Sequence, residues 1–161
     1  MNARDIIRSS PRRLSFGRPG HSYVLADDLV AIHGVVDTRP AVMAFPADGA
    51  SVHRVEDVGG SSTKGVAGPV YRRAPGGSIS VPTGRVLVRF RESELAEGHR
   101  ENLERVGFTI EAVLPYAPHA VWVRAQGGGI EDALARLRGL QELPGVEAVE
   151  AQMLTESVKR A

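Results

Sequence analysis

Cysteine is absent from the 161 residues. That absence rules out a disulfide framework and a thiolate metal site. It fits a reducing compartment, and a cytoplasmic protein is the expectation. Aromatic residues are scarce, at 5%. Apolar runs are short, and none approaches the length of about 20 residues that a membrane-crossing helix needs. The opening, MNARDIIRSSPRRL, offers only Ile6 and Ile7 as an apolar core, too little for a secretory signal. Its Arg and Ser content has a faint transit-peptide character, and a cytoplasmic location is preferred. An excess of one charge is also missing. Twenty basic residues face 19 acidic ones, for a formal net charge of +1, so the chain as a whole makes no case for a nucleic acid or a membrane as partner.

What is present is an ordinary composition rich in turn formers: 42% hydrophobic, with 18 Gly and 10 Pro. Residues 1–20 hold Arg4, Arg8, Arg12, Arg13 and Arg18 against Asp5 and read as a flexible basic arm, solvated at a chain end. Residues 21–82 carry short apolar runs between turn formers: Tyr23 to Leu25, Leu29 to Ile32, Val35-Val36, Ala41 to Phe45 and Val66 to Tyr71. This is a β-rich segment without a useful amphipathic helix. GGSSTKG (59–65) reads as a loop and APGG (74–77) as a turn.

The texture changes at Gly84. RVLVRF (85–90) places Val86, Val88 and Phe90 on one side of a pleat. Residues 92–107 recur at helical spacing through Leu95, His99, Leu103 and Val106, and Gly107 supplies a stop. FTIEAVLPY alternates again, with Phe108, Ile110 and Ala112 on one side, and AVWVRA (120–125) is a third strand. Residues 130–143 put Ile130, Ala133, Leu134, Leu137 and Leu140 on one stripe. Pro144-Gly145 stops that helix, and residues 146–152 form a fourth strand. The expected fold class is α+β. Residues 84–152 form a ferredoxin-like β-α-β-β-α-β domain, with two helices on one face of an antiparallel sheet. A small β-rich segment precedes it, and a polar tail, 153–161, follows. The uncovered sheet face invites a partner.

A screen for chemistry finds no active site, so the chain reads as not an enzyme and as needing no cofactor. The five histidines, His21, His33, His53, His99 and His119, form no HxH or HExxH pair, so no metal site is expected. His99 lies on the apolar side of its helix and reads as a core histidine. The triple glycine 127–129 fits neither a Walker A loop nor GxGxxG, and a strand-to-helix turn explains it. Asp37, in VVDTR, has no nucleophile motif beside it. RNA-binding domains share the β-α-β-β-α-β order and stack bases on strand aromatics. Here Phe90 shares its pleat face with Val86 and Val88 and points to the core, and the glycine-aromatic pattern of those domains is missing.

GRVLVRFRE, ENLERVGFTIEAVLPYAPHAVWVRA and ALARLRGLQELPGVEAVEAQ together resemble the prodomains of subtilisin-like serine proteases, the peptidase inhibitor I9-like propeptide family. The turn LPYAPHAVWV and the ending LPGVEAVE are its most specific pieces. The resemblance covers about half the chain, and residues 21–82 are only weakly similar to segments that precede some bacterial prodomains. No subtilase catalytic domain follows, and the family's histidine and serine motifs are absent. The resemblance therefore implies the regulatory piece without the enzyme. It is either a stand-alone inhibitor, for which Met1 is a natural start, or the prodomain part of a larger precursor.

The resemblance further implies that the open sheet face docks on two surface helices of the protease. Glu150 would cap one helix N-terminus, and the second, usually acidic, capping position falls on Gln152. The tail would enter the cleft as an added strand mimicking substrate. Thr155, Glu156, Ser157 and Val158 would then fill the four positions before the scissile point. A shifted register would place Met153 and Leu154 in the apolar pocket instead. The implied function is non-catalytic inhibition of a subtilisin-like serine protease, with assistance to its folding as a further role of the same surface. The alternative is a structural or adaptor module with a prodomain-like fold.

Overall fold

The computed structural model describes residues 2–17, 21–35, 39–58 and 65–156. The fold is α+β, with antiparallel sheets and few helices. It divides into two compact units, Met1–Leu14 with His21–Pro82 and Met153–Ala161, and Ser15–Gly20 with Thr83–Gln152.

Unit 1 begins where a flexible basic arm was expected. A helix, α1 (Ala3–Ser9), forms there instead. Asn2 Oδ1 accepts from the Asp5 N–H at 2.9 Å, and Asp5 answers with a bond from the Asn2 N–H. This reciprocal cap satisfies two orphan donors, and Ala3 and Ile6 bury one side of the helix. The arginines remain on its solvated side. Next come β1 (Arg13–Leu14), β2 (Ser22–Leu25), β3 (Leu29–His33), β4 (Met43–Phe45) and β5 (Ala50–Arg54). They are followed by α2 (Val55–Val58), β6 (Val66–Gly68), β7 (Tyr71–Ala74) and the first residues of β8 (Ile79–Phe90). One sheet has the order β4-β5-β3-β6, and β1-β2-β7-β8 pair in another.

The strand β3 explains why LVAIH is continuously apolar rather than alternating. Its two faces both meet apolar groups. Leu29 and Ala31 join Ala26, Val52, Val70 and Val81 on one side, while Val30 joins Ala3 and Val58 on the other. A strand covered on both faces needs apolar residues at every position. Burying each Val or Leu side chain contributes roughly 1.5–3 kcal/mol.

Unit 2 continues through the rest of β8, a 3-10 turn Ala96–His99, α3 (Arg100–Arg105), β9 (Phe108–Leu114), β10 (Ala117–Ala125), α4 (Ile130–Ala135), α5 (Leu137–Gln141) and β11 (Val146–Thr155). The strand β8 pairs with β10 and with β11, and β10 pairs with β9, giving the order β11-β8-β10-β9. Val86, Val88 and Phe90 are fully buried, as the alternation predicts, and so are Val121 and Val123. Gly84 sits in β8 at φ +95, and a β-carbon there would meet Ile130 Cγ1 at 3.3 Å. Left-handed backbone and tight helix packing both call for glycine at that point.

Three local expectations are corrected. The helix over 92–107 shrinks to Arg100–Arg105 after a 3-10 turn, because Gly98 weakens helix and Leu95 is extended (ψ 131) and 64% exposed. The helix over 130–143 is broken at Arg136, which leaves the helical region at φ −103, ψ 4. Ala112 does not share the buried face of Phe108. A register shift between Trp122 and Val123 pairs Ile110 with Val123 but Ala112 with Trp122, turning Ala112 outward.

Candidate functional site

The helices of unit 2 leave one sheet face uncovered, and its side chains form a connected group. On β8 the residues between the buried ones are Arg85, Leu87 and Arg89; on β10 they are Trp122 and Arg124. Arg85 lies over the Trp122 ring, its guanidinium carbon 4.5 Å from the ring centre. Glu111, on β9, ties two arginines together. Its Oε1 is 2.6 Å from Arg85 Nε, and its Oε2 is bonded by Arg124 Nε. The Arg85 contact is close but too bent for an aligned hydrogen bond, so it acts as an ion pair. With the Arg85 side chain 28% exposed and Glu111 33%, the charges are only partly screened. Arg89 is exposed, and among the described residues it has no ionic partner. The sequence carried a signal for this group that the apolar reading passed over: the polar parity of RVLVRF is Arg, Leu, Arg.

The residues expected to engage a protease separate into three sets. Glu150 is exposed on β11, between buried Val149 and Ala151, so it stands on the uncovered side. Gln152 is half-buried and engaged within the fold, its Oε1 accepting from Thr83 Oγ1 at 2.8 Å. Met153, Leu154 and Thr155 continue β11, three residues beyond the expected end of that strand. Leu154 packs on the cluster of Ala26, Leu29, Ala31, Val52, Val70 and Val81. Glu156 follows, exposed. Ser157 and Val158 lie outside the described residues, as does Asp37.

Other polar groups have internal explanations. His53 is fully buried on β5. Its Nδ1 and the Pro40 carbonyl oxygen are 2.7 Å apart, and Nε2 is 2.7 Å from Ser51 Oγ. The carbonyl can only accept, so Nδ1 carries the proton and the Ser51 hydroxyl donates to Nε2. The spacing of the pair, two residues apart on one strand face, was legible as S-V-H. A serine and histidine closed off this way form a structural tie, since the orienting group is a neutral carbonyl and Ser51 is 9% exposed. His99 stacks on Phe90 with ring centres 4.0 Å apart, the core position expected of it. The Gly129 N–H donates to Asp132 Oδ2 at 3.0 Å, so the helix after the triple glycine receives its anion from its own chain.

A cleft of about 600 Å³ in unit 1 is lined by Arg4, Arg8 and Arg54 and by Asp27, Asp28 and Glu56. Its charges balance, and the Arg72 guanidinium, bonded at 3.1 Å, holds the Asp28 carboxyl below its ordinary pKa. Among the described residues there is no group of three or more potential metal ligands, and no helix is long and apolar enough to cross a membrane. Comparison of the chain with models of known protein families, with curated proteins and with solved structures finds no match.

Proposed function

We propose that this chain is a non-catalytic inhibitor of a subtilisin-like serine protease, cytoplasmic, and that its sheet face also assists the folding of that protease. The observation that carries the reading is the uncovered face of unit 2. The strand pairings β11-β8, β8-β10 and β10-β9 are compatible with a ferredoxin-like sheet that keeps one side for docking, and so support the reading. Glu150 supplies an exposed carboxylate there for a helix N-terminus. Gln152 is already bonded to Thr83, so its capping role is the weaker of the two.

The cleft-binding element in this reading begins at Glu156. Met153 and Leu154 belong to β11, and freeing them would strip Leu154 from its cluster. The register with Val158 in the primary pocket therefore requires less unfolding than the shifted one. The adaptor reading draws support from the same packing, since a strand that runs to Thr155 shortens the free tail.

The test is inhibition of a purified subtilisin-like protease, titrated with chain 1–161 and with chain 1–156. Inhibition by the longer chain alone assigns the cleft role to the residues after Glu156. Equal inhibition by both moves the affinity to the sheet face. Failure of both against several such proteases sinks the reading and leaves the adaptor.

A further inference from the structure

The geometry points to a binding hot spot at the centre of the uncovered face, with Trp122 and Arg85 as anchors and a carboxylate-bearing protein surface as the partner. This rests on the reading that the uncovered face is the docking face, and it adds the chemistry of what docks.

Position comes first. The strands β8 and β10 are the two inner strands of the order β11-β8-β10-β9, so Arg85, Leu87, Arg89, Trp122 and Arg124 occupy the middle of the face. Binding energy concentrates on such central anchors, and Trp and Arg are enriched among them. Preorganisation comes second. Arg85 is pinned by Glu111 on one side and by the Trp122 ring on the other, so little side-chain freedom remains to be lost on binding. Its remaining N–H groups have no other acid among the described residues. A guanidinium fixed on an aromatic face accepts a carboxylate in a defined orientation.

Charge comes third. Arg85, Arg89 and Arg124 outnumber the carboxylate of Glu111, which lies between Arg85 and Arg124. The middle therefore keeps a positive excess, with Arg89 unpaired among the described residues, while Glu150 stands on the outer strand β11. A partner that places one or two carboxylates beside Arg89 and the free edge of the Arg85 guanidinium gains there, and one that spreads negative charge along the whole face meets Glu111 and Glu150. A continuous phosphate backbone does the latter, so a protein surface fits better than a nucleic acid.

Trp122 is the sole tryptophan of the chain and so reports its own occupancy. The full chain is titrated with a Trp-free helical peptide of Glu, Ala and Leu, with its Lys counterpart and with a single-stranded oligothymidylate, at about 50 mM salt, where screening is weak. The expected result is a saturable blue shift with the acidic peptide alone. Binding should weaken about fivefold or more in Arg85→Ala and in Arg89→Ala. Far-UV circular dichroism of both variants checks the fold. An equal response to the Lys peptide, a response to the oligonucleotide alone, no response at all, or unchanged affinity in both variants overturns the assignment. The same two variants go into the protease titration. Undiminished inhibition by both removes the anchors and leaves the inhibitor reading standing. The expected peptide response without inhibition of any protease does the reverse.

Discussion

Tyr71 donates its hydroxyl hydrogen to the carbonyl oxygen of Pro11 at 2.7 Å, joining β7 to a residue 60 positions earlier. The ring is fully buried, and burial pushes the phenol well above its ordinary pKa, so it remains a donor across the physiological range. Tyr71→Phe keeps the packing and leaves the Pro11 carbonyl without this donor. The expected cost is about 1–2 kcal/mol in urea denaturation. A midpoint equal to that of the parent chain would show that water replaces the bond.

The end of β11 makes a second prediction. Leu154→Ala should destabilise the chain by about 1–3 kcal/mol, because it opens a gap beside Val52, Val70 and Val81. Chain 1–152 should lose at least as much, whereas chain 1–156 should melt with the full chain. If 1–152 and 1–156 melt together, Leu154 contributes nothing to the cluster.

Gly145 and Glu94 form a coupled pair. Gly145 has φ +82, and a β-carbon on it would run into the Glu94 carboxylate. Gly145→Ala should cost about 1–2 kcal/mol for the left-handed backbone, plus the clash. Adding Glu94→Ala should recover the clash and not the backbone part. Strict additivity of the two changes in thermal melting would show that the side chains do not meet.

Burial also governs His33. Its Nε2 has no hydrogen-bond partner among the described residues, and desolvation holds the imidazole below its ordinary pKa of 6.5. The unfolded chain then takes up the proton first as pH falls. The contribution of His33 to stability is full above about pH 6.5 and declines as pH drops from there towards the folded value. The drop in melting temperature between about pH 7.5 and 5.5 should be smaller in His33→Gln than in the parent. Parallel curves for the two proteins would remove His33 from the pH dependence.

The sequence was most informative where one physical rule dominates. Alternation in RVLVRF placed Val86, Val88 and Phe90 inside, and all three are fully buried. It was least informative where two influences compete. Residues 2–9 look like a solvated basic arm by charge, yet Ala3 and Ile6 three residues apart provide a buried side once Asn2 caps the turn. Ala112 follows the alternation of its strand until a bulge reverses its face, and bulges leave no mark in a pattern of period two. The group on the uncovered face depends on pairing across strands: Glu111 reaches Arg85 and Arg124 only because β9, β10 and β8 lie side by side.

The place where β11 stops decides how such an inhibitor would wear out. A peptide bond cut beyond Glu156 falls after the strand that seats Leu154 on the cluster of Val52 and Val70. Under the proposed function, the shortened chain would keep the Leu154 packing and compete for the enzyme through its sheet alone. A cut before Leu154 would remove a side chain packed on the core and leave the remainder more open to proteolysis. If the proposed function holds, a few residues of strand would separate a blunted inhibitor from a consumed one.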